Sequence, residues 1–242
     1  MCTLSILRDA KNLTVTMNRD DAAARTETPP SLWPAAKSAF AAPRDMQAGG
    51  TWIGVNGHGL VACLLNRYDV APPGRSSRGA IVVAAMEATS VENGHAILAE
   101  LDHQLYAPFT CVLIDRMGAS RLDWTGAAAS RTDLDPIGET MLTSSSWRFD
   151  DVSAMRADLF HALRETESDA IARIAAFHTR RDSANDAWAP MMQRPHSETK
   201  SVTQIAITDE GAEMRYWSRE AAIARQLEAP DTVIRVSAPI NA

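Results

Sequence analysis

Two apolar runs joined across Asn56-Gly57-His58-Gly59, in TWIGVNGHGLVACLLN, constrain this chain more than any other stretch. Asn and Gly tolerate the positive φ of tight turns, so residues 51–66 are expected to form a β-hairpin. The same signature recurs. CTLSILR and NLTVTMNR, rich in Thr, Val, Ile and Leu, flank DAKN, whose Asp and Asn favour a turn. FTCVLIDR and SRLDWTG lie either side of Met117-Gly118-Ala119, and SVTQIAIT and AEMRYWS either side of Asp209-Glu210-Gly211.

Between the hairpins the periodicity turns helical, over residues 79–88 and again over 91–101. ETMLTSSSWRF reads as a strand end opening into a Ser-rich turn. Residues 153–178 carry the best amphipathic pattern, with Met155, Leu159, Leu163, Ile171, Ile174 and Phe177 near helical spacing and a break at 165–168. Residues 26–50 hold four prolines and end in a Gly pair, which predicts a long loop. Ser197, Thr199, Ser201 and Thr203 recur at period two, as on one face of an exposed edge strand. Strands and helices come in blocks without βαβ alternation, so an α+β layered sandwich of antiparallel sheets covered by helices is expected.

The chain has 242 residues, 45 % of them apolar, enough for the core of one domain spanning 1–242. A net charge of −6 with no basic stripe argues against nucleic acid as a partner. Cys2, Cys63 and Cys111 are odd in number and widely spaced, so reduced thiols are expected rather than a disulfide framework or structural zinc. None of the six histidines sits in HExxH or beside a cysteine cluster, and no metal is expected. The N-terminus lacks a leader pattern, and the most apolar stretch, Ala80 to Met86, falls far short of the roughly 20 residues a transmembrane helix needs. A cytoplasmic protein with no transmembrane segment is the expectation.

The first twenty residues permit a specific chemistry. Removal of Met1 would leave Cys2 with a free α-amine, whose pKa of roughly 7.7–8.0 lets a useful fraction accept the thiol proton near neutrality. One residue would then be nucleophile and base. The hairpin returns Arg19 and Asp20 to the end where Cys2 lies, Arg19 to favour the thiolate and Asp20 to hold the amine. The plainer reading makes Cys2 a small apolar residue opening an edge strand and Arg-Asp a solvated turn.

MCT and NRDD, then GGTWIGVNGHGLVACLLNR and SSRG, resemble the NRDE family, also called the transport and Golgi organisation 2 family; the likeness continues through LTSSSWRF and RPHSETKSVTQIAIT. The family is similar to N-terminal-nucleophile hydrolases of the penicillin V acylase and bile-salt hydrolase type, which implies a four-layer αββα sandwich. By that resemblance Cys2 matches the nucleophile, Arg19 the residue assisting it, and Asp20 or Asp21 the carboxylate holding the amine. GVNGHGLVACLLN resembles the hairpin that helps build the oxyanion hole, which nominates Asn66. Asn18, Asp21, Trp52 and Ser145 are nominated as substrate-binding, Trp52 being either core anchor or pocket wall. Two departures stand out: Asp21 replaces the family's Glu, and Ser145 replaces an Asn.

Two functions follow. One is a hydrolase opening an amide or thioester through an acyl-enzyme on Cys2, without a cofactor. The other, implied by the family's association with haem trafficking and lipid or acyl-CoA handling, is a non-catalytic carrier. Haem would need an axial ligand, for which Cys2 is available, but no spacing suggests a second.

Overall fold

The computed structural model describes residues 2–9, 12–35, 39–135, 137–182 and 184–237. Met1, whose removal the nucleophile reading requires, lies outside the described residues, as do residues 10 and 11 of the DAKN turn. The chain opens with strands β1 (Cys2–Arg8), β2 (Leu13–Ala22), β3 (Glu27–Trp33), β4 (Phe40–Asp45), β5 (Ile53–Asn56) and β6 (Val61–Asn66). Helices α1 (Gly79–Ala85) and α2 (Val91–Ala99) follow, then strands β7 (Phe109–Ile114), β8 (Ala119–Trp124), β9 (Ala129–Asp133) and β10 (Gly138–Ser144). The remainder is α3 (Phe149–Thr166), α4 (Ala170–His178), β11 (Ser197–Thr208), β12 (Gly211–Ser218), α5 (Arg219–Arg225) and β13 (Thr232–Val236).

The strands form two antiparallel sheets, ordered β10-β1-β2-β11-β12-β13 and β3-β4-β5-β6-β7-β8-β9. Their inner faces meet in one apolar layer, where Leu4, Val15 and Met17 of the first sheet pack with Ile53, Val55 and Val112 of the second. Burial of such side chains stabilises by roughly 1.5–3 kcal/mol each. Ile81, Val82 and Leu98 of α1 and α2 cover the outside of the second sheet against Phe40, Leu64 and Leu113. On the outside of the first sheet lie α3, α4 and α5, through Phe160, Phe177 and Ala222. The result is the expected α+β sandwich in four layers, αββα.

The expected hairpins and helices form. Asp169 caps α4 by accepting from the Ala172 N–H at 2.8 Å, which places the break in the long helical pattern. Two expectations need correction. Residues 26–50 are not a loop: β3 and β4 pair as a hairpin at the edge of the second sheet. Pro29 and Pro30 fall inside the register shift between Thr28 and Ser31, on an edge strand, where a missing N–H breaks no ladder. β11 is no exposed edge either, since it runs between β2 and β12. A bulge between Thr199 and Ser201 breaks its period of two, so Thr199 pairs with Asp20 while Ser201 pairs with Arg19. The amphipathic pattern of α3 also hides Arg156, a buried cation that the sequence reading did not single out, at 1 % exposed.

Candidate active site

Register builds the site. Cys2 lies opposite Arg19 on β2 and opposite Ser144 on β10. Directly opposed residues share a face, so Cys2 and Arg19 point between the sheets, with Leu4 and Met17, while Asn18 and Asp20 point to the helices. The backbone nitrogen of Cys2 donates to Ser144 Oγ at 3.0 Å. Asp20 accepts from Thr199 Oγ1 at 2.6 Å and lies 3.8 Å from the buried Arg156 guanidinium.

At this end the sheets part around a cavity of about 300 Å³. Cys2, Arg19, Asp20 and Asp21 line it from the first sheet; Trp52 and Asn66 belong to the facing sheet, and Ser76 to Gly79 close a side. Two glycines make that wall. A Cβ on Gly50 would fall 2.7 Å from the Gly79 carbonyl carbon, and one on Gly79 would fall 2.9 Å from the Thr51 nitrogen. GGTW and SRG therefore pack backbone to backbone, which sets Trp52 and Arg78 beside one cavity.

Arg19 is 3 % exposed and engaged on every side. It pairs with Asp21 at 2.9 Å, with Asp45 at 2.6 Å and with Glu27 through Nη1. Its guanidinium carbon also stacks 4.3 Å above the Trp52 ring. Burial works against its charge, but Glu27, Asp21 and Asp45 outweigh it and hold the group charged. Asp45 is likewise held below the usual carboxylate range: burial raises it, and the Ala48 N–H, Arg25 and Arg19 more than reverse that.

The Cys2 thiol behaves differently from expectation. Burial pushes it above its ordinary value and the Asp20 carboxylate adds to that; the Asp20 N–H and Arg19 pull downward without prevailing. Arg19 therefore does not produce a low thiol pKa, because burial outweighs its pull, and its charge is shared with three carboxylates. Cys63 and Cys111 are fully buried, and burial lifts Cys111 to about 12.

Asn66, half-buried at the end of β6, lies where this cavity meets a second one of about 250 Å³ that it lines with Ser144, Ser145, Tyr68 and Phe149. Tyr68 shares a hydrogen bond with Asn66, and burial raises its hydroxyl pKa. Ser145 lines only the second cavity of the two, and accepts from Arg194 at 3.3 Å. Asn18 reaches neither. Its carboxamide donates to the carbonyls of His178 and Pro190 at 2.9 and 2.8 Å and accepts from His178 Nδ1 at 2.6 Å, so the substrate contact nominated for Asn18 is corrected to a tie between β2 and α4.

The profile of the Transport and Golgi organisation 2 family matches residues 1–224. The chain belongs to that family. No curated protein sequence matches it. Among solved structures, the penicillin V acylase of Agrobacterium tumefaciens superposes with a TM-score of 0.58 at 12 % identity, covering 98 % of this chain and 86 % of that one. A mutant conjugated bile acid hydrolase of Clostridium perfringens gives 0.51 at 13 %, covering 100 % and 99 %. The Caenorhabditis elegans orthologue of N-acylethanolamine-hydrolyzing acid amidase gives 0.54 at 12 %, covering 84 % and 92 %. At such identities the likeness establishes the shared N-terminal-nucleophile hydrolase fold and nothing finer.

Within this Transport and Golgi organisation 2 member, four features escape sequence reasoning. Ser144, next to the nominated Ser145, is the residue that meets Cys2; alternation along β10 would have distinguished them once Leu142 was set facing the core. Glu27 and Asp45 were hidden by reading their strands as loop. Arg78, inside the quoted SSRG, and Tyr68, two residues past Asn66, carried no signal beyond proximity to the motif. Among the described residues no cluster of three or more His, Cys, Asp or Glu is placed to hold a metal, and no helix is long and apolar enough to cross a membrane.

Proposed function

We propose that this protein is a cysteine N-terminal-nucleophile hydrolase that opens an amide or thioester through an acyl-enzyme on Cys2. One observation carries the reading: of the three cysteines, Cys2 alone lines the charged cavity, opposite Arg19 on β2 and with Asn66 lining it from the facing sheet. The sequence of steps follows from that arrangement. With Met1 removed, the Cys2 nitrogen becomes an amine beside Ser144 Oγ, which orients it, and takes the thiol proton. Sulfur bonds to the carbonyl carbon and the carbonyl oxygen becomes an oxyanion, to which the Asn66 amide donates. Collapse breaks the amide or thioester bond as the α-ammonium returns its proton to the leaving group. Water then cleaves the acyl-enzyme and restores Cys2. Asp20 serves as anchor for the ammonium, itself fixed by Thr199 and Arg156. Three unpaired thiols suit the cytoplasmic setting expected from the sequence.

A carrier without turnover is the second reading, favoured by the raised thiol pKa and by the neutralised Arg19. Acyl-CoA suits both readings, being cleaved in one and held in the other. Haem fits less well: charged groups wall the cavity, no histidine lines it, and a porphyrin face prefers apolar contact. The test is a panel of N-acyl amides and acyl thioesters incubated with the processed protein and with Cys2→Ala. Turnover by the first alone supports hydrolysis; equal rates, or saturable binding without turnover, support the carrier.

A further inference from the structure

Arg78 gives the Cys2 cavity a charge that no carboxylate of the described residues pairs with directly. Arg19 and Arg25 each meet carboxylates, Asp45 with both, at 2.6 and 2.7 Å. Arg78 differs: its contact is one hydrogen bond from Nη1 to the Pro108 carbonyl at 2.8 Å, and among the described residues no carboxylate comes within ion-pairing distance of it. The side chain is half-buried, and burial lowers its pKa, as befits a cation taken partly out of water without a partner. Tyr68, Cys2, Arg25 and Asp21 lie near enough to act on it electrostatically, but the one carboxylate among them, Asp21, is already paired with Arg19 at 2.9 Å. The close Gly50–Gly79 packing fixes its backbone, so the charge is held in place rather than swinging in solvent.

We propose that Arg78 is a specificity-determining residue that receives an anionic group, a carboxylate or phosphate, carried by the molecule whose carbonyl approaches Cys2. This deepens the hydrolase reading by narrowing its substrate to an anionic amide or thioester, and rests on the cavity being the substrate site. A planar guanidinium offers paired donors to either anion, and a half-desolvated one gains more from pairing than an exposed one. The carboxylates on the opposite side are already bound to Arg19 and Arg25, so an incoming anion meets Arg78 as the unmatched charge.

The test needs no known substrate. Iodoacetate and iodoacetamide differ by one negative charge and alkylate the same thiol; intact-mass kinetics, with Cys2→Ala as the blank, give the ratio of their rates at Cys2. Arg78→Gln keeps a donor for the Pro108 carbonyl and loses the charge; Arg78→Lys keeps the charge. The expected result is a fall in the iodoacetate-to-iodoacetamide ratio on the order of tenfold in Arg78→Gln, with iodoacetamide unaffected and the ratio largely kept in Arg78→Lys. An unchanged ratio in a folded Arg78→Gln protein overturns the proposal, whatever the protein's turnover. Should neither reagent reach the thiol, calorimetric titration decides. N-octanoylglycine binding more tightly than N-octanoylglycinamide to wild type but not to Arg78→Gln supports the proposal; parity or no binding of the acid overturns it. N-octanoylphosphoethanolamine in the same titration separates phosphate from carboxylate preference.

Discussion

Cys2 and Arg19 face each other across the β1–β2 ladder, yet the arginine is bound by Asp21, Glu27 and Asp45 and cannot act on the thiol as a lone cation. The thiol stays protonated at rest, so in the proposed hydrolysis its activation falls to the α-amine that removal of Met1 would expose. Arg19 then serves chiefly as the keystone joining β2, β3 and the end of β4.

That role sets a stability prediction. Arg19→Ala would leave three carboxylates crowded together at the cavity wall, and removing one partner of a buried charge cluster typically costs about 3–5 kcal/mol. Urea unfolding should show a loss of that order. A loss below about 1 kcal/mol would mean that solvent already screens the cluster.

Asn66→Ala addresses the oxyanion. Its side chain ends a strand and is half-buried, so the fold should tolerate the change, while turnover of any cleaved substrate should fall by roughly 10²–10³ with little change in KM. Single-turnover kinetics on an acyl thioester reads this directly. A variant with undiminished turnover would remove Asn66 from the chemistry.

His178 makes folding sensitive to acid. It is fully buried between Asn18 and Ser5, with Nδ1 2.6 Å from Asn18 Oδ1 and Nε2 2.7 Å from Ser5 Oγ. Since the Asn18 NH2 donates to two carbonyls, its oxygen accepts from Nδ1–H, and Nε2 accepts from Ser5. Burial lowers the ring pKa from 6.5 to about 3, with Arg156 adding to the effect. The unfolded chain therefore binds more protons between those values, so this contribution is complete above about pH 6.5 and is lost as pH falls toward 3. Urea midpoints across that range should drop with a slope approaching 1.4 kcal/mol per pH unit from this residue, which His178→Gln should flatten.

Gly50→Ala tests the cavity wall. The new methyl meets Gly79 backbone, which has no flexible end to move aside, so a cost of about 1–3 kcal/mol is expected together with a weakened Arg78 charge effect in the alkylation ratio. Wild-type melting and an unchanged ratio would show that the wall yields freely.

Much of this was legible in the sequence because it is local. Asn56-Gly57-His58-Gly59 announces its hairpin by the φ values its residues accept, and the N-terminal pairing follows from two short β-rich runs. Cys2, Arg19, Asp20, Asp21, Trp52 and Asn66 do line one cavity. What escaped depends on partners distant in sequence. Pro29 and Pro30 look like loop until β4 is known to lie alongside, and the parity that sends Asn18 to His178 and Arg19 to the cavity needs a register. Arg156 carries no local signal of burial; Thr3, Thr143 and Asp20 of the sheet and the Trp188 and Ala189 carbonyls, all distant in sequence except Thr143, explain it.

Whether Cys2 is a processed nucleophile can be read by intact-protein mass spectrometry before and after a thiol-directed acylating probe. A processed nucleophile gives a mass lacking Met1 and a single adduct that Cys2→Ala does not form, since Cys63 and Cys111 are sealed in the core. A retained Met1 with an unlabelled Cys2 would rule out the nucleophile.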